Sequence, residues 1–418
     1  MARPPLQHVV RVRRSDDLHF IRPGLMDEVL VNANHLENSS LSITATLRES
    51  TVPFMVDPVL TRFQVPEWWR NERGETKRNY TRLGAIYVAG TSIEIAAGPL
   101  LQTVPNDDEW RLVAKNVLNY QRGRLEPAIT QLDLLGEGPP PELRPTRLMA
   151  PALVGFSAAE DRINRFLAEA SADLAELPLA VPVIVPMDRL LDPDELGGLI
   201  DSVPRDGVGT YLIWTPNVTE ERMLSDDRVF AAVLRLVSEL AERGVGMGHL
   251  HGSYTVAALH DLGIDTFVHH LGWVDKGEPA GEHGGGPRSC QTYVPGIRHT
   301  IRFDRARTLG YHLDAAEYVE LYCGCDICVG TFEGQQHPLD VLLEEQPVAK
   351  MPGRQTPTGR AAELNTWHYL IARRQEVEAF SAQPASDVVA RDMERAATLA
   401  GAHERNRLRR LADELRAA

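Results

Sequence analysis

Three of the chain's four cysteines fall in one short stretch, Cys323-Gly324-Cys325-Asp326-Ile327-Cys328. Thiolates at this C-x-C-x-x-C spacing can converge on one soft, tetrahedral ion, the fourth corner coming from a histidine or another thiolate elsewhere in the chain. Gly324 supplies a hinge, and Tyr318-Val319-Glu320-Leu321-Tyr322 reads as an apolar strand leading into the motif. The spacing therefore predicts a structural zinc site rather than three free thiols in a buried turn. Cys290 stands apart and reads as a buried bystander.

A second group of residues could work on a substrate. Asp57 closes the apolar run Thr51-Val52-Pro53-Phe54-Met55-Val56, taken as the first strand, and Asp188 follows the run Val181 to Pro186. Asp265, His269 and His270 gather around the run that begins after Gly263. Two carboxylates across an active-site mouth can divide the labour between a nucleophile and an acid or base. Any single aspartate at a strand end can equally be a loop cap. In Gly248-His249-Leu250-His251-Gly252, strand alternation puts both histidines on one side, as a second metal site, a substrate-binding edge that includes Gly252, or a polar rim.

The elements that must position these groups become regular beyond the proline-rich connector 139–145. Runs at 148–156, 181–186, 209–214, 246–250 and 264–268 read as strands, and 158–177, 192–202, 226–243 and 255–262 as amphipathic helices. This alternation favours parallel strands, and a (β/α)8 TIM-type barrel is the simplest closed solution, with useful side chains at the carboxyl ends of its strands. Residues 1–45, rich in asparagine and serine, read as an irregular N-terminal segment and 46–322 as the barrel. Residues 323–380 follow as a zinc-binding insertion and 381–418 as C-terminal helix. The loop 281–286, Gly281-Glu282-His283-Gly284-Gly285-Gly286, is too irregular for a phosphate-binding fingerprint.

At 418 residues the chain can bury a large core, and its 43% hydrophobic and 24% charged content is that of a globular protein. No apolar run reaches membrane-spanning length, and Met1-Ala2-Arg3-Pro4-Pro5 lacks a signal-peptide core, so a cytoplasmic protein with reduced, metal-bound cysteines is expected. A net charge of −14 argues against a chain that coats nucleic acid nonspecifically. Local basic surfaces stay open: arginines gather at Arg11, Arg13 and Arg14, at Arg302, Arg305 and Arg307, and in 405–410.

Phe54-Met55-Val56-Asp57-Pro58 followed by Phe63, the run Gly263-Ile264-Asp265-Thr266-Phe267, Tyr293-Val294-Pro295-Gly296-Ile297, and then the cysteine motif with a histidine-bearing helix after it follow one another in order. In that order they resemble the tRNA-guanine transglycosylase superfamily over roughly residues 50 to 380, and look closest to the branch that inserts 7-deazaguanines into DNA. The resemblance implies a zinc-bearing barrel that exchanges guanine in DNA or tRNA for a 7-deazaguanine base, through an aspartate that attacks the sugar C1′. By position Asp57 looks like the aspartate that handles the base and its proton, and Asp188 like a base-recognition aspartate. The family's nucleophile position holds Val268, followed by His269 and His270, which leaves Asp265, His269 or Asp275 to take over, or a chain without transglycosylation. The family's His-Asn pair reads His368-Tyr369 here, making His368 the implied fourth zinc ligand and His337 the runner-up. Two other readings stay open. One is a non-catalytic, zinc-bearing member that binds nucleic acid or pairs with an active subunit in a homo- or hetero-oligomer. The other is a metal-dependent barrel hydrolase using His249 and His251 with Asp57.

Overall fold

The computed structural model describes residues 4–71, 73–94, 100, 106–134, 143–271, 290–333, 336–343, 348–351 and 354–417. Eight strands form one sheet in the order β3-β2-β1-β8-β7-β6-β5-β4. They are β1 Gln7–Val12, β2 Glu28–Asn32, β3 Phe54–Asp57, β4 Leu148–Met149, β5 Leu179–Ile184, β6 Thr210–Trp214, β7 Gly246–His249 and β8 Ile264–His270. All paired neighbours are parallel. The two ends of the order meet where Thr146 N–H donates to Phe54 O at 2.9 Å, so the sheet wraps into a nearly closed (β/α)8 TIM-type barrel with helices around it.

Strand alternation sorts the side chains. Val9, Leu30, Met55, Met149, Ala180, Ile184, Leu212, Trp214 and Val268 fill the barrel as one apolar cluster. The alternate positions Val10, Val12, Val29, Val31, Phe54 and Val56 face outward against Leu36, Leu47, Trp110 and Val117 of the surrounding helices. Both faces being buried, the strands are continuous apolar runs, as parallel sheets require.

The described part of this N-terminal segment, 4–45, is not irregular: it carries β1, β2 and the start of the helix Ala33–Ser50. Asn32, read as a loop residue, is the helix N-cap, its side chain accepting from Asn34 N–H at 2.9 Å, and Asn34 and Asn38 lie inside the helix. Asp57 accordingly ends the third strand, not the first. The barrel strands end at His270, well before residue 322. The loop 281–286 and Asp275 lie outside the described residues.

Two further strands, β9 Gln291–Val294 and β10 His299–Arg302, pair as a hairpin beside the barrel. Tyr318–Tyr322 is a wide helical turn, not a strand. Asp314 caps its start, and Tyr318 and Tyr322, four residues apart, are both buried with rings stacked at 4.6 Å. The helix Gly359–Ala382 then packs on β1 and, through Tyr369 against His269 and Arg373 over Phe267, on β8. Two helices follow instead of one, Ala385–Ala400 and Ala402–Ala417, broken at Gly401 with φ +80°. A buried network fastens this end: Arg298 donates to Asp392 at 2.8 and 2.9 Å and to Glu376 at 2.9 Å, while Tyr254 donates to Asp392 at 2.6 Å.

Candidate metal centre and barrel mouth

Cys323 ends the Tyr318–Tyr322 turn, Cys328 sits in the first turn of the helix Asp326–Glu333, and Cys325 lies between them. His368 arrives from the middle of the helix Gly359–Ala382. All four are buried, and their ligand atoms lie within 4.8 Å of one another. Nδ1 of His368 is 3.6, 3.3 and 3.6 Å from the sulfurs of Cys323, Cys325 and Cys328. A tetrahedral ion with sulfur at about 2.3 Å and nitrogen at about 2.0 Å needs S···N edges of about 3.5 Å. The set can therefore hold a metal ion, and its donors and edges are compatible with zinc.

The ligand histidine is oriented from behind. Its Nε2–H donates to the carbonyl of Tyr293 in β9 at 2.8 Å, which leaves Nδ1 for the metal. Hydrogen bonds from Cys323 and Cys328 pull the Cys325 thiol well below the ordinary range. Burial opposes a charge on His368, but the sulfurs of Cys323 and Cys325 outweigh it and hold the imidazole above its ordinary value. Burial pushes the Cys323 thiol well above the ordinary thiol range, and a divalent cation would draw the remaining thiols to thiolates. His337 is not in the set: its Nδ1 accepts from Leu339 N–H at 3.2 Å and its ring lies against Tyr311 and Tyr318.

The mouth of the barrel is assembled from three strands and the segment that follows a fourth, β7. Arg11 of β1 and Asp57 of β3 form a buried ion pair, and Val59 N–H donates to the second oxygen of Asp57 at 2.9 Å. Arg11 also reaches Nε2 of His251 at 3.3 Å, and Nδ1 of His251 lies 2.9 Å from Nε2 of His270 at the end of β8. The rings of His251 and Trp214 are 5.1 Å apart. Burial lowers the pKa of both histidines well below the usual value. Arg11, Arg13 and Arg62 add to this at His251, and Arg13 and Arg11 at His270. Among the described residues the mouth thus brings together one carboxylate, its arginine partner and two neutral imidazoles, an arrangement able to pass protons.

The other expected site residues fall elsewhere. Asp265 is the second residue of β8, about 16 Å of strand from His270, and its carboxylate accepts from Met247 N–H at 3.2 Å. His269 faces outward, not into the mouth: its Nε2 lies 2.6 Å from Nε2 of His8 and its ring stands edge-on to Tyr369 of the Gly359–Ala382 helix. Val268 points into the apolar barrel cluster with Val9, Leu30 and Met55. Asp188 is exposed, while its neighbour Arg189 is buried against Asp161. His249 is buried, its Nδ1 accepting from His251 N–H at 3.2 Å. Gly252 lies under Phe267, where a Cβ would come within 2.5 Å of the ring, so packing alone accounts for the glycine. Among the described residues the cysteine–histidine set is the group assembled to hold a metal, and His249 and His251 form no second one with Asp57.

In the sequence Arg11 stands in a cluster with Arg13 and Arg14, and nothing local sets it opposite Asp57. The signal for its inward face was present in His8-Val9-Val10-Arg11: alternation puts Val9 and Arg11 on one face, and Val9 belongs to the barrel interior.

No family model matches the chain and no curated protein matches it. Among solved structures, an N-terminally His-tagged D-allulose 3-epimerase from Methylomonas sp. is similar at 11% identity, over 65% of this chain and 86% of that one, with a TM-score of 0.28. The barrel assignment rests on the strand order itself. No helix among the described residues is long and apolar enough to cross a membrane.

Proposed function

We propose that the chain exchanges a guanine in DNA or tRNA for a 7-deazaguanine, with a zinc ion in the site of Cys323, Cys325, Cys328 and His368. The observation that carries the reading is Asp57, the carboxylate at the mouth, joined through Arg11 to His251 and His270. It is the one carboxylate among the described strand ends, and we assign it the attack on C1′ in place of the base-handling role that the resemblance implies. As the carboxylate bonds to C1′, the C1′–N9 electron pair leaves with guanine, which takes up a proton. The incoming base then gives up its own proton, attacks C1′ and displaces the carboxylate. His251 and His270, neutral and hydrogen-bonded to each other, relay those protons, and the arginines balance the polynucleotide's charge. The zinc contributes folding free energy beside the barrel and takes no part in these steps.

A second reading, a zinc-bearing barrel that binds nucleic acid without exchange, is favoured by Val268, an apolar group in the barrel interior where the resemblance expects the nucleophile. One experiment separates the two. Purified protein is incubated with guanine-labelled DNA and, separately, tRNA, together with a 7-deazaguanine, and label release and a trapped covalent complex are followed. Exchange predicts release by the parent and none by Asp57→Asn at unchanged zinc content. Absence of release from folded protein carrying one zinc per chain overturns the exchange reading in favour of the binder.

A further inference from the structure

At the mouth two aromatic rings are presented to solvent by backbone that is itself tied down. Phe156, 46% exposed, follows β4 and lies 6.4 Å from Trp68, a half-buried ring in the short helix Pro66–Trp69 after β3. Both follow carboxyl ends of strands, and Trp68 packs onto the barrel-interior cluster beside Val154, Trp214 and Leu250. An exposed phenylalanine on a loose loop would mean little. Here the loop is clamped: Gln64 bonds both N–H and C=O of Val154, Gly155 N–H donates to Ile184 O at 3.1 Å, and Arg189 donates to Gly155 O at 2.9 Å while paired to Asp161. A side chain at 155 has no room, since a Cβ would lie 2.8 Å from the Asp161 carboxylate. Trp68 is held in the same way by its neighbour Trp69, fully buried against Phe63 with Arg70 over its ring.

Rigid, half-wet aromatic faces beside a positive surface are how proteins hold unstacked bases, because every base has a π-face and the cations meet its phosphates. Trp214 continues the aromatic wall inward to His251, which Arg11 contacts at 3.3 Å, and the half-buried Arg13 follows the carboxyl end of β1 at the same mouth. We propose that Trp68 and Phe156 form a stacking platform for a nucleobase of a single-stranded or locally opened polynucleotide. The platform delivers the strand to the mouth that contains Asp57. The inference rests on the polynucleotide reading of the mouth but not on exchange chemistry.

The test uses the full chain and a fluorescein-labelled single-stranded DNA 15-mer of mixed sequence, an RNA 15-mer of the same sequence, and a DNA 15-mer whose central nucleotides are abasic, read by anisotropy at low salt. The intact strand is expected to bind more tightly than the abasic one. Phe156→Ala and Trp68→Ala should each weaken the intact strand roughly 5- to 100-fold, with little change on the abasic strand, and Phe156→Trp should restore the difference. Phe156→Ala should melt like the parent, since the ring is largely exposed, which separates lost stacking from lost fold. Equal affinity for intact and abasic strands, no binding of any strand by the parent, or variants that bind as the parent does would each overturn the platform. Binding with this pattern but without label release would leave the platform standing and remove the exchange reading. Release from a chain whose variants bind and turn over normally would do the reverse.

Discussion

The metal cluster and the barrel mouth are both buried polar sites, built on opposite principles. Three of the cluster's four ligands come from one stretch, so closing it requires a single long-range contact, from the helix carrying His368. The mouth draws Arg11, Asp57, His251 and His270 from β1, β3, the segment after β7 and β8, and has no geometry until the barrel closes. The cluster is also satisfied from behind through Tyr293, next to a network in which Arg298 answers two carboxylates. In the mouth Arg11 answers one carboxylate and two imidazoles stay uncharged. At the cluster end Arg298 is matched by two buried carboxylates, whereas at the mouth Arg11 is matched by Asp57 and also touches a neutral imidazole.

The largest effect should come from breaking the cluster. Cys325→Ser, or chelation of the parent, should cost on the order of 5 kcal/mol or more, because binding free energy at such a site is largely folding free energy. Chemical denaturation with metal analysis checks it, and a variant as stable as the parent would end the structural-metal reading. Asp57→Ala is the matching cut at the mouth. It leaves the Arg11 guanidinium buried without its carboxylate, for which about 3–5 kcal/mol is expected. Metal content should not change, and a simultaneous loss of metal would show that the two regions are not independent.

Acid sharpens the comparison at a smaller scale. Burial lowers His8 to about 3 and His249 to about 4. Between pH 6.5 and those values the unfolded chain binds protons that the folded chain refuses, so stability is lost as pH falls through that window, by ~1.4 kcal/mol per pH unit per histidine. Urea midpoints from pH 7 to 4 should fall, and His8→Gln should reduce the slope by about one proton. An unchanged slope would mean that the imidazole is not held neutral. The smallest effect is expected at Asp188: exposed on its helix, Asp188→Asn should leave stability within ~0.5 kcal/mol. Label release should be equally unaffected, and a loss of it would restore the base-recognition role that the resemblance implies.

Much of the fold could be read because parallel strands and amphipathic helices have different periods, and from 148 to 270 the two alternate cleanly. The first two strands were hidden by their neighbours. Asn32, Asn34 and Asn38 have loop-like composition, yet Asn32 caps a helix and the other two ride on it. Tyr318–Tyr322 misled in the other direction, since a five-residue apolar run is equally a strand or a helical turn until the burial of positions 318 and 322 is known. At the site, the cysteine–histidine set and the place of Asp57 at a strand end were legible. Asp265 and His269 were misplaced because sequence proximity to a strand end does not say which end or which face.

The sequence by itself determined three of the four candidate ligands and the barrel class, because both depend on local spacing: sulfurs a few residues apart, and apolar periods of 2 and 3.6. Only the tertiary structure decided that Arg11 meets Asp57, that His251 and His270 share a hydrogen bond, and that Val268 and His269 turn to opposite sides of β8. Those facts follow from strand register and barrel closure, in which a shift of one residue exchanges the inner face for the outer, and register is set by packing across the whole barrel rather than by any neighbouring residue.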